Sequence, residues 1–264
     1  MAKIFAKSRG CRGLRSIVHW REPIRITYRG HSIYSMPPAS SGGVTLGEIL
    51  NILGGYPQLP AFGTADLMHL EAEAMRRAFM DRNRYLGDPA FNKVPVAGLT
   101  SKAYAAELRA SIDLAKATPS ATLSAGSPVG YESEQTTHLS AADADGWVAA
   151  ITQTLNTGFG SCVVPAGTGV ILNNEMDDFS SKPGFPNYFG LIGSEANAIA
   201  PRKIPLSSMT PTLVLRDGRP FLIAGAPGGS TIINTVLQII VLSLIHISEP
   251  TRLRRISYAV FCLK

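Results

Sequence analysis

Two threonines, Thr136 and Thr137, stand where a segment without apolar periodicity, residues 114–135, meets a predicted β-strand. A threonine hydroxyl is a poor nucleophile unless a base takes its proton. The free α-amino group of a chain cut directly before the threonine is such a base, with an ordinary pKa of about 7.7–8.0. A threonine in this place can therefore process its own chain and then act as the catalyst. Taken alone the pattern is weak, because two threonines at a strand start are more often structural.

The elements that must position this threonine fall into two groups. Before the linker of residues 114–135, the pattern predicts one hairpin and three helices, over residues 25–36, 45–53, 64–87 and 101–112. After it, the pattern predicts two hairpins and a closing helix, over residues 137–154, 210–225 and from about 231. Thr64 is the predicted N-cap of the second helix and Gly87 its C-terminal cap. This order of elements indicates a layered α+β fold.

Seven sequence blocks carry a resemblance to a known family. They span residues 34–43, 74–89, 136–138, 154–157, 172–179, 205–209 and 226–230. The second contains Ala-Met-Arg-Arg-Ala-Phe followed by Asp-Arg, and the fifth reads Leu-Asn-Asn-Glu-Met-Asp-Asp-Phe. In this order the blocks resemble the γ-glutamyltranspeptidase family of N-terminal nucleophile hydrolases over about residues 20–241. The resemblance implies an incomplete form of the four-layer αββα sandwich of that class.

The resemblance implies the catalytic groups. Thr136 matches the nucleophile, exposed when its Oγ attacks the Gln135 carbonyl and the precursor is cut between these two residues. Thr154 matches a second threonine that orients the nucleophile, although β-propensity would also explain it. Gly228 and Gly229 match an oxyanion hole, since adjacent glycines let backbone N–H groups approach a tetrahedral oxyanion closely. A tight turn is the plainer interpretation of the glycine pair, and the two are compatible.

The resemblance also implies how an amino-acid donor is held. Asn156, Glu175 and Asp178 match the groups around its α-ammonium, which prefers acceptors and negative charge. Ser207 and Ser208 match the groups that bind its α-carboxylate. A solvated acidic turn and a pair of loop serines are the plainer alternatives for these two sets.

Three further features of the resemblance qualify these assignments. Residues 187–191 resemble the loop that closes the donor pocket, but many relatives have tyrosine where Phe189 stands, so Tyr188 would have to replace its hydrogen bond to Asn156. His138 follows the nucleophile and receives no catalytic role, because the base in this family is the amine. The arginine that pairs with the donor carboxylate lies upstream in the family and has no match here.

Composition excludes several other classes. Apolar residues make up 45% of the 264 residues and charged residues 17%, which is globular. The net charge is +6, but residues 1–20 carry +5 and residues 242–264 carry +3, so the body carries −2 and has no basic stripe for nucleic acid. Cys162 is the one cysteine in that body, so neither a disulfide framework nor a metal site is expected.

Four segments follow from these patterns. Residues 1–19 are a doubtful N-terminal segment, residues 20–135 the C-terminal part of a large subunit, and residues 136–241 the N-terminal part of a small catalytic subunit. Residues 242–264 read back into DNA as two parts of a transposon-type library adapter with an index-sized gap. We therefore interpret this tail as adapter-derived and expect it to make no contacts that the fold needs.

The sequence thus predicts γ-glutamyl transfer and hydrolysis, with glutathione the expected donor and water, an amino acid or a peptide the acceptor. No metal or organic cofactor is implied, and no nucleic-acid partner or membrane span. An exported, periplasmic or secreted enzyme of two subunits cut from one precursor is the family expectation. One alternative is a related acylase acting on glutaryl side chains of β-lactams, which the retention of Asp178 and the serine pair disfavours. The other is an inactive fragment.

Overall fold

A computed structural model describes residues 4–5, 20–119, 122, 136–187, 190–245 and 260–262. Nine strands are assigned in these ranges: β1 (Ile4–Phe5), β2 (Trp20–Arg21), β3 (Ile24–Tyr28), β4 (His31–Ser35), β5 (Thr137–Ala142), β6 (Val148–Gln153), β7 (Thr212–Arg216), β8 (Arg219–Ala224) and β9 (Val260–Cys262). The helices are α1 (Gly42–Leu53), α2 (Ala65–Tyr85), α3 (Val96–Leu99), α4 (Lys102–Ala110) and α5 (Thr231–Ile245). Gln135 and most of the predicted linker lie outside the described residues.

The centre of the fold is an antiparallel sheet with strand order β3-β4-β7-β8-β9. Helix α1 lies against it, and all twelve residues of α1 are buried among the sheet, α2, α4 and α5. Helix α2 is amphipathic, and its buried stripe includes Leu67, Leu70, Ala74 and Ala78. The predicted N-cap is confirmed, since the Thr64 hydroxyl accepts a hydrogen bond from the Leu67 N–H at 3.3 Å.

The opposite face of this sheet is covered by the β5–β6 hairpin. Ile223 of β8 is fully buried but stands outside the helix-side core, because neighbouring residues of a strand point to opposite faces. The outer face of the hairpin is apolar and exposed, with Leu139 57% and Ile151 49% accessible. The described residues thus form helix, sheet and hairpin layers, an incomplete αββα arrangement, and they include no helix long and apolar enough to cross a membrane.

The predicted cap at Gly87 is wrong. Helix α2 ends at Tyr85, the C-cap residue Leu86 has an extended backbone, and no left-handed glycine follows it. A Cβ atom at Gly87 would lie 2.2 Å from the carbonyl oxygen of Ala196. The residue is therefore glycine because another chain segment passes close by, which local sequence cannot reveal.

The described part of the tail does contact the fold, whereas the expectation that the fold does not need these contacts stays a prediction. Helix α5 continues to Ile245, with Leu242 and Ser243 buried, and β9 pairs with β8. The physical reason is that residues 242–245 extend the apolar helical pattern and bury apolar area. The fit is imperfect, because the buried Ser243 Oγ has no hydrogen-bond partner among the described residues. The adapter origin itself stays a prediction.

A pair of buried carboxyl groups joins the helices behind the sheet. Glu48 of α1 is 1% exposed and Asp81 of α2 is 3% exposed, and the two side chains are hydrogen-bonded. Tyr104 of α4 donates to Asp81 Oδ2 at 2.6 Å. Burial, and then the nearby Asp81 charge, raise the pKa of Glu48 to about 9. Glu48 therefore keeps its proton at neutral pH and can donate it to Asp81.

This pair predicts a pH-dependent stability. Because the folded-state pKa of Glu48 is raised, the folded chain holds a proton between about pH 4.5 and 9 that the unfolded chain has lost. Stability contributed by this group is thus complete below its unfolded pKa and falls by up to about 1.4 kcal/mol per pH unit as pH rises through that window. Glu48→Gln, which is always neutral and keeps a donor for Asp81, should remove this slope.

The measurement is the midpoint of thermal unfolding of the full-length protein at pH 6 and pH 8.5. The midpoint of wild type should fall further between pH 6 and pH 8.5 than the midpoint of Glu48→Gln does. The control is Glu107→Gln on the exposed side of α4, which should behave as wild type. Identical losses in wild type and Glu48→Gln would contradict the shared-proton interpretation.

Candidate active site

Residues from distant parts of the sequence meet around one cavity that opens to solvent and has about 320 Å³ of empty volume. Its lining consists of Thr136, Thr154, Asn156, Asp178, Leu191, Ser207, Ser208, Met209, Gly229, Ser230 and Ile232. Seven of the nine predicted catalytic and binding residues are in this set. Glu175 and Gly228 are the exceptions: Gly228 precedes Gly229, which lines the cavity, and the Glu175 side chain is hydrogen-bonded to Asp178, which also lines it.

The hairpin register places the two threonines together. In the β5–β6 pair, Thr137 lies opposite Gln153 at the open end of the ladder. Thr136 comes one residue before this pair and Thr154 one residue after it, so they lie across from each other at the cavity. The spacing between them is therefore fixed by antiparallel pairing, which is precise where one sheet face is packed.

A turn after β6 brings Asn156 into the same wall. Its N–H donates to the Thr154 Oγ1 at 2.9 Å, and its φ of 77° lies in the left-handed region that asparagine tolerates better than most residues. Its side-chain Nδ2 donates to the carbonyl oxygen of Asn174 at 3.1 Å. Asn156 is 3% exposed, so these bonds hold it rigidly beside the threonines.

The acidic residues lie on a short 3₁₀ helix, Glu175–Asp178. Burial raises the pKa of Glu175 to about 8 and that of Asp178 to about 6, and the two carboxyl groups are hydrogen-bonded. At neutral pH Glu175 therefore keeps its proton, and the negative charge at the cavity belongs to Asp178. The roles of both residues toward a donor ammonium stay predictions, and at neutral pH Asp178 is the one of the two that carries a charge.

The serine pair is fixed by residues that the sequence interpretation left without a role. Ser207 is tied to the start of α1, because the Ser41 N–H and Oγ both donate to the Ser207 carbonyl oxygen at 2.8 Å. Ser208 accepts a hydrogen bond from Arg82 Nη2 at 3.0 Å. The sequence did carry a signal for Arg82, since it falls four residues after Ala78 on the buried stripe of α2.

The glycine pair forms the turn before α5. Gly228 has φ of 118° and Gly229 φ of 53°, and a Cβ at Gly228 would lie 2.4 Å from Thr231 Oγ1. Both positions therefore need glycine for backbone reasons. Within the described part of the chain, the N–H groups of this pair donate no hydrogen bond, so they are available to an oxygen atom in the cavity.

Two further predicted elements can be placed. Leu191 brings the predicted lid loop to the cavity, whereas Tyr188 and Phe189 lie outside the described residues. His138 points away from the cavity lining, toward Thr152 Oγ1 at 2.7 Å and Ser140 Oγ at 3.1 Å. Burial lowers the pKa of His138 to about 4, so it is neutral, and its ring lies against Gly225, directly after β8. In the described ranges no group of His, Cys, Asp and Glu could hold a metal ion.

Comparison with known proteins places this site in a family. The cephalosporin acylase from Bacillus halodurans superposes with a TM-score of 0.67 at 28% identity, over 87% of this chain and 39% of that chain. With the layered fold, this match defines the chain as part of an N-terminal nucleophile hydrolase. The protein-family sequence model described as Gamma-glutamyltranspeptidase matches residues 17–253 of this chain. The chain belongs to the γ-glutamyltranspeptidase family.

Two relatives of this chain are named for different activities, one as a glutathione hydrolase and one as an acylase. The chain is 51% identical over 239 residues to the glutathione hydrolase proenzyme of Escherichia coli (strain K12), covering 89% of this chain and 41% of the relative. It is 45% identical over 231 residues to the Acylase ACY 1 proenzyme of Pseudomonas sp. (strain SE83), covering 87% of this chain and 39% of that relative. The chain thus spans about two fifths of the length of these relatives, as a fragment of a longer precursor would.

Proposed function

We propose that the full-length protein cleaves itself between Gln135 and Thr136 and then transfers or hydrolyses γ-glutamyl groups, with glutathione as donor. The observation that carries the proposal is the cavity wall. It places one charged carboxylate, Asp178, and two hydroxyls, of Ser207 and Ser208, around the space beside Thr136. An amino-acid head group carries one ammonium and one carboxylate, so this wall is complementary to it.

Self-cleavage begins with the hydroxyl of Thr136. Its Oγ attacks the Gln135 carbonyl carbon, the C–N bond breaks, and the acyl group moves from nitrogen to oxygen, so that an ester replaces the amide. Water then hydrolyses the ester, which leaves a carboxylate on Gln135 and a free α-amino group on Thr136. The new amine is the base that the nucleophile needs.

The same atoms then act on the donor. The amine takes the Thr136 proton as Oγ attacks the γ-carbonyl, and N–H groups of Gly228 and Gly229 stabilise the oxyanion. The proton passes to the leaving amine when the C–N bond breaks, leaving a γ-glutamyl ester on Thr136. Water or the amine of an acceptor attacks this ester to release glutamate or a new γ-glutamyl amide. Thr154 orients the nucleophile, and Asn156 and Asp178 hold the ammonium.

A second candidate is an acylase that removes glutaryl side chains of β-lactams, and the relative named as an acylase supports acylase activity in general. A glutaryl group is a γ-glutamyl group without its α-ammonium, so the two activities differ by one charge on the substrate. The charged Asp178 favours the γ-glutamyl donor, because a buried carboxylate without a cation carries a desolvation cost. An inactive fragment is the remaining alternative.

The proposal is tested with three anilides that share one leaving group: γ-glutamyl, glutaryl, and 4-aminobutanoyl, which lacks the carboxylate. We expect kcat/KM of the mature wild-type enzyme to be highest for the γ-glutamyl anilide, because it alone offers both charges. The activity that releases glutamate from glutathione should co-purify with the activity on the γ-glutamyl anilide. A preference for the glutaryl anilide would move the assignment to the acylase activity, and no turnover of any donor would support an inactive protein.

A further inference from the structure

Arg82 is a buried cation without a close anionic partner. It is 3% exposed, and the ion pairs of the described residues within 4 Å all belong to Arg76 and Arg77. Burial lowers the pKa of Arg82 to about 10, a shift opposed by the charge of Asp178. A guanidinium keeps its charge even so, and a buried charge without full compensation is costly. Such a group is poised to gain from a negative charge brought into the site.

The hydrogen bonds of Arg82 show how this charge reaches the cavity. Its Nε donates to Ser41 Oγ at 3.0 Å, and its Nη2 donates to Ser208 Oγ at 3.0 Å. Arginine cannot accept, so each serine oxygen must be the acceptor and keeps its own hydrogen for another bond. Ser41 uses that hydrogen on the Ser207 carbonyl at 2.8 Å. Ser208 lines the cavity, so its hydrogen is left for an acceptor there.

Arg82 itself does not line this cavity. Arg82 borders a second hollow of about 200 Å³, whose lining also includes Asp178 and Leu191. Its influence on a bound molecule must therefore pass through the serines or through space. A hydroxyl whose oxygen accepts from a cation is polarised, which makes it a stronger donor to an anion.

We propose that Arg82 is a positioning residue for the carboxylate of the donor. It orients and polarises the Ser208 hydroxyl toward that carboxylate and holds Ser207 in place through Ser41. This inference rests on the proposed function only in requiring a donor that bears a carboxylate, which γ-glutamyl and glutaryl groups share. Arg82 stands before the proposed cut and Ser208 after it, so the two products of cleavage must stay together to keep the pocket.

The test compares Arg82→Lys with wild type in the mature full-length enzyme, using the γ-glutamyl, glutaryl and 4-aminobutanoyl anilides. Lysine keeps the charge but loses the fork that reaches both serines. We expect kcat/KM to fall about 10- to 100-fold for the two donors with a carboxylate, the size of a hydrogen bond to a charged group, and less than about threefold for the third. Arg84→Gln, an exposed change on the same helix, should alter none of them.

A double-mutant cycle separates positioning from a general structural role. If Arg82 acts through the hydroxyl of Ser208, Arg82→Lys should cost little more once Ser208 is replaced in Ser208→Ala. Additive losses, or equal losses on all three donors, would overturn the proposal. Should Arg82→Lys fail to mature, Ser41→Ala must show the same donor pattern at smaller size, and its absence would also overturn the proposal. A wild type that prefers the glutaryl anilide refutes the proposed function but leaves this pattern intact.

Discussion

Thr136→Ala in the full-length precursor should give one uncut chain with no measurable γ-glutamyl hydrolysis. Thr136 stands at the cavity across from Thr154, directly before the first strand of the β5–β6 hairpin. Its Oγ is the proposed attacking atom both in cleavage and in catalysis, so one substitution should remove both. Loss of a catalytic nucleophile costs on the order of 10⁶ in kcat, which is the largest effect expected for this protein.

Two measurements check this result. Denaturing electrophoresis should show the intact precursor of Thr136→Ala where wild type shows two subunits, and mass spectrometry should find that the wild-type small subunit begins at Thr136. Thr137→Ala is the matched control, because it alters the neighbouring threonine, whose side chain is exposed. A small subunit that begins elsewhere, or normal cutting of Thr136→Ala, would refute the assignment. Thr136→Ser, which keeps a hydroxyl, should still be cut.

Asp178→Ala should weaken the use of γ-glutamyl donors far more than it weakens folding or self-cleavage. Its carboxylate lies at the cavity beside a protonated Glu175 and is the proposed partner of the donor ammonium. Loss of one partner of such a buried, charge-assisted pair costs about 2–5 kcal/mol. The corresponding fall in kcat/KM is roughly 30-fold to several thousand-fold.

The three anilides make this measurement selective. The γ-glutamyl and 4-aminobutanoyl donors carry the ammonium, so kcat/KM should fall for both in Asp178→Ala. For the glutaryl donor, which lacks the ammonium, kcat/KM should be nearly unchanged. This pattern is the converse of the one expected for Arg82, so the two substitutions assign the two ends of the donor separately. Asp177→Asn, which changes the exposed neighbour, serves as the control. Equal losses on all donors would mean that Asp178 is structural.

Asp178 also predicts a lower limit of pH for donor use. Burial raises its pKa to about 6, against the opposing effects of the Glu175 hydrogen bond and the Arg82 charge. The carboxylate that attracts the ammonium is therefore lost as pH falls through about 6, and kcat/KM for the γ-glutamyl anilide should fall with it. The glutaryl anilide should show no such loss from this group. Profiles of both donors between pH 5 and 8 make the comparison.

Local elements of this protein were determined by the sequence alone. The hairpin predicted over residues 137–154 is present as the strands Thr137–Ala142 and Val148–Gln153. The cap at Thr64 and the start of the last helix at Thr231 are also as predicted. These features depend on hydrogen bonds and side-chain alternation within a few residues, which a pattern of residue types encodes. The family motifs, in turn, named most of the residues that meet at the cavity.

Only the tertiary structure decided how those residues are charged and supported. The sequence treated Glu175 and Asp178 alike, whereas burial protonates the first and leaves the second charged. Arg82 belonged to a family motif, but the sequence assigned it no role. The fold brings Ser41 and Ser208, 41 and 126 residues away in sequence, to its guanidinium. Desolvation and long-range hydrogen bonds depend on which segments become neighbours in space, and no local pattern of the chain contains that information.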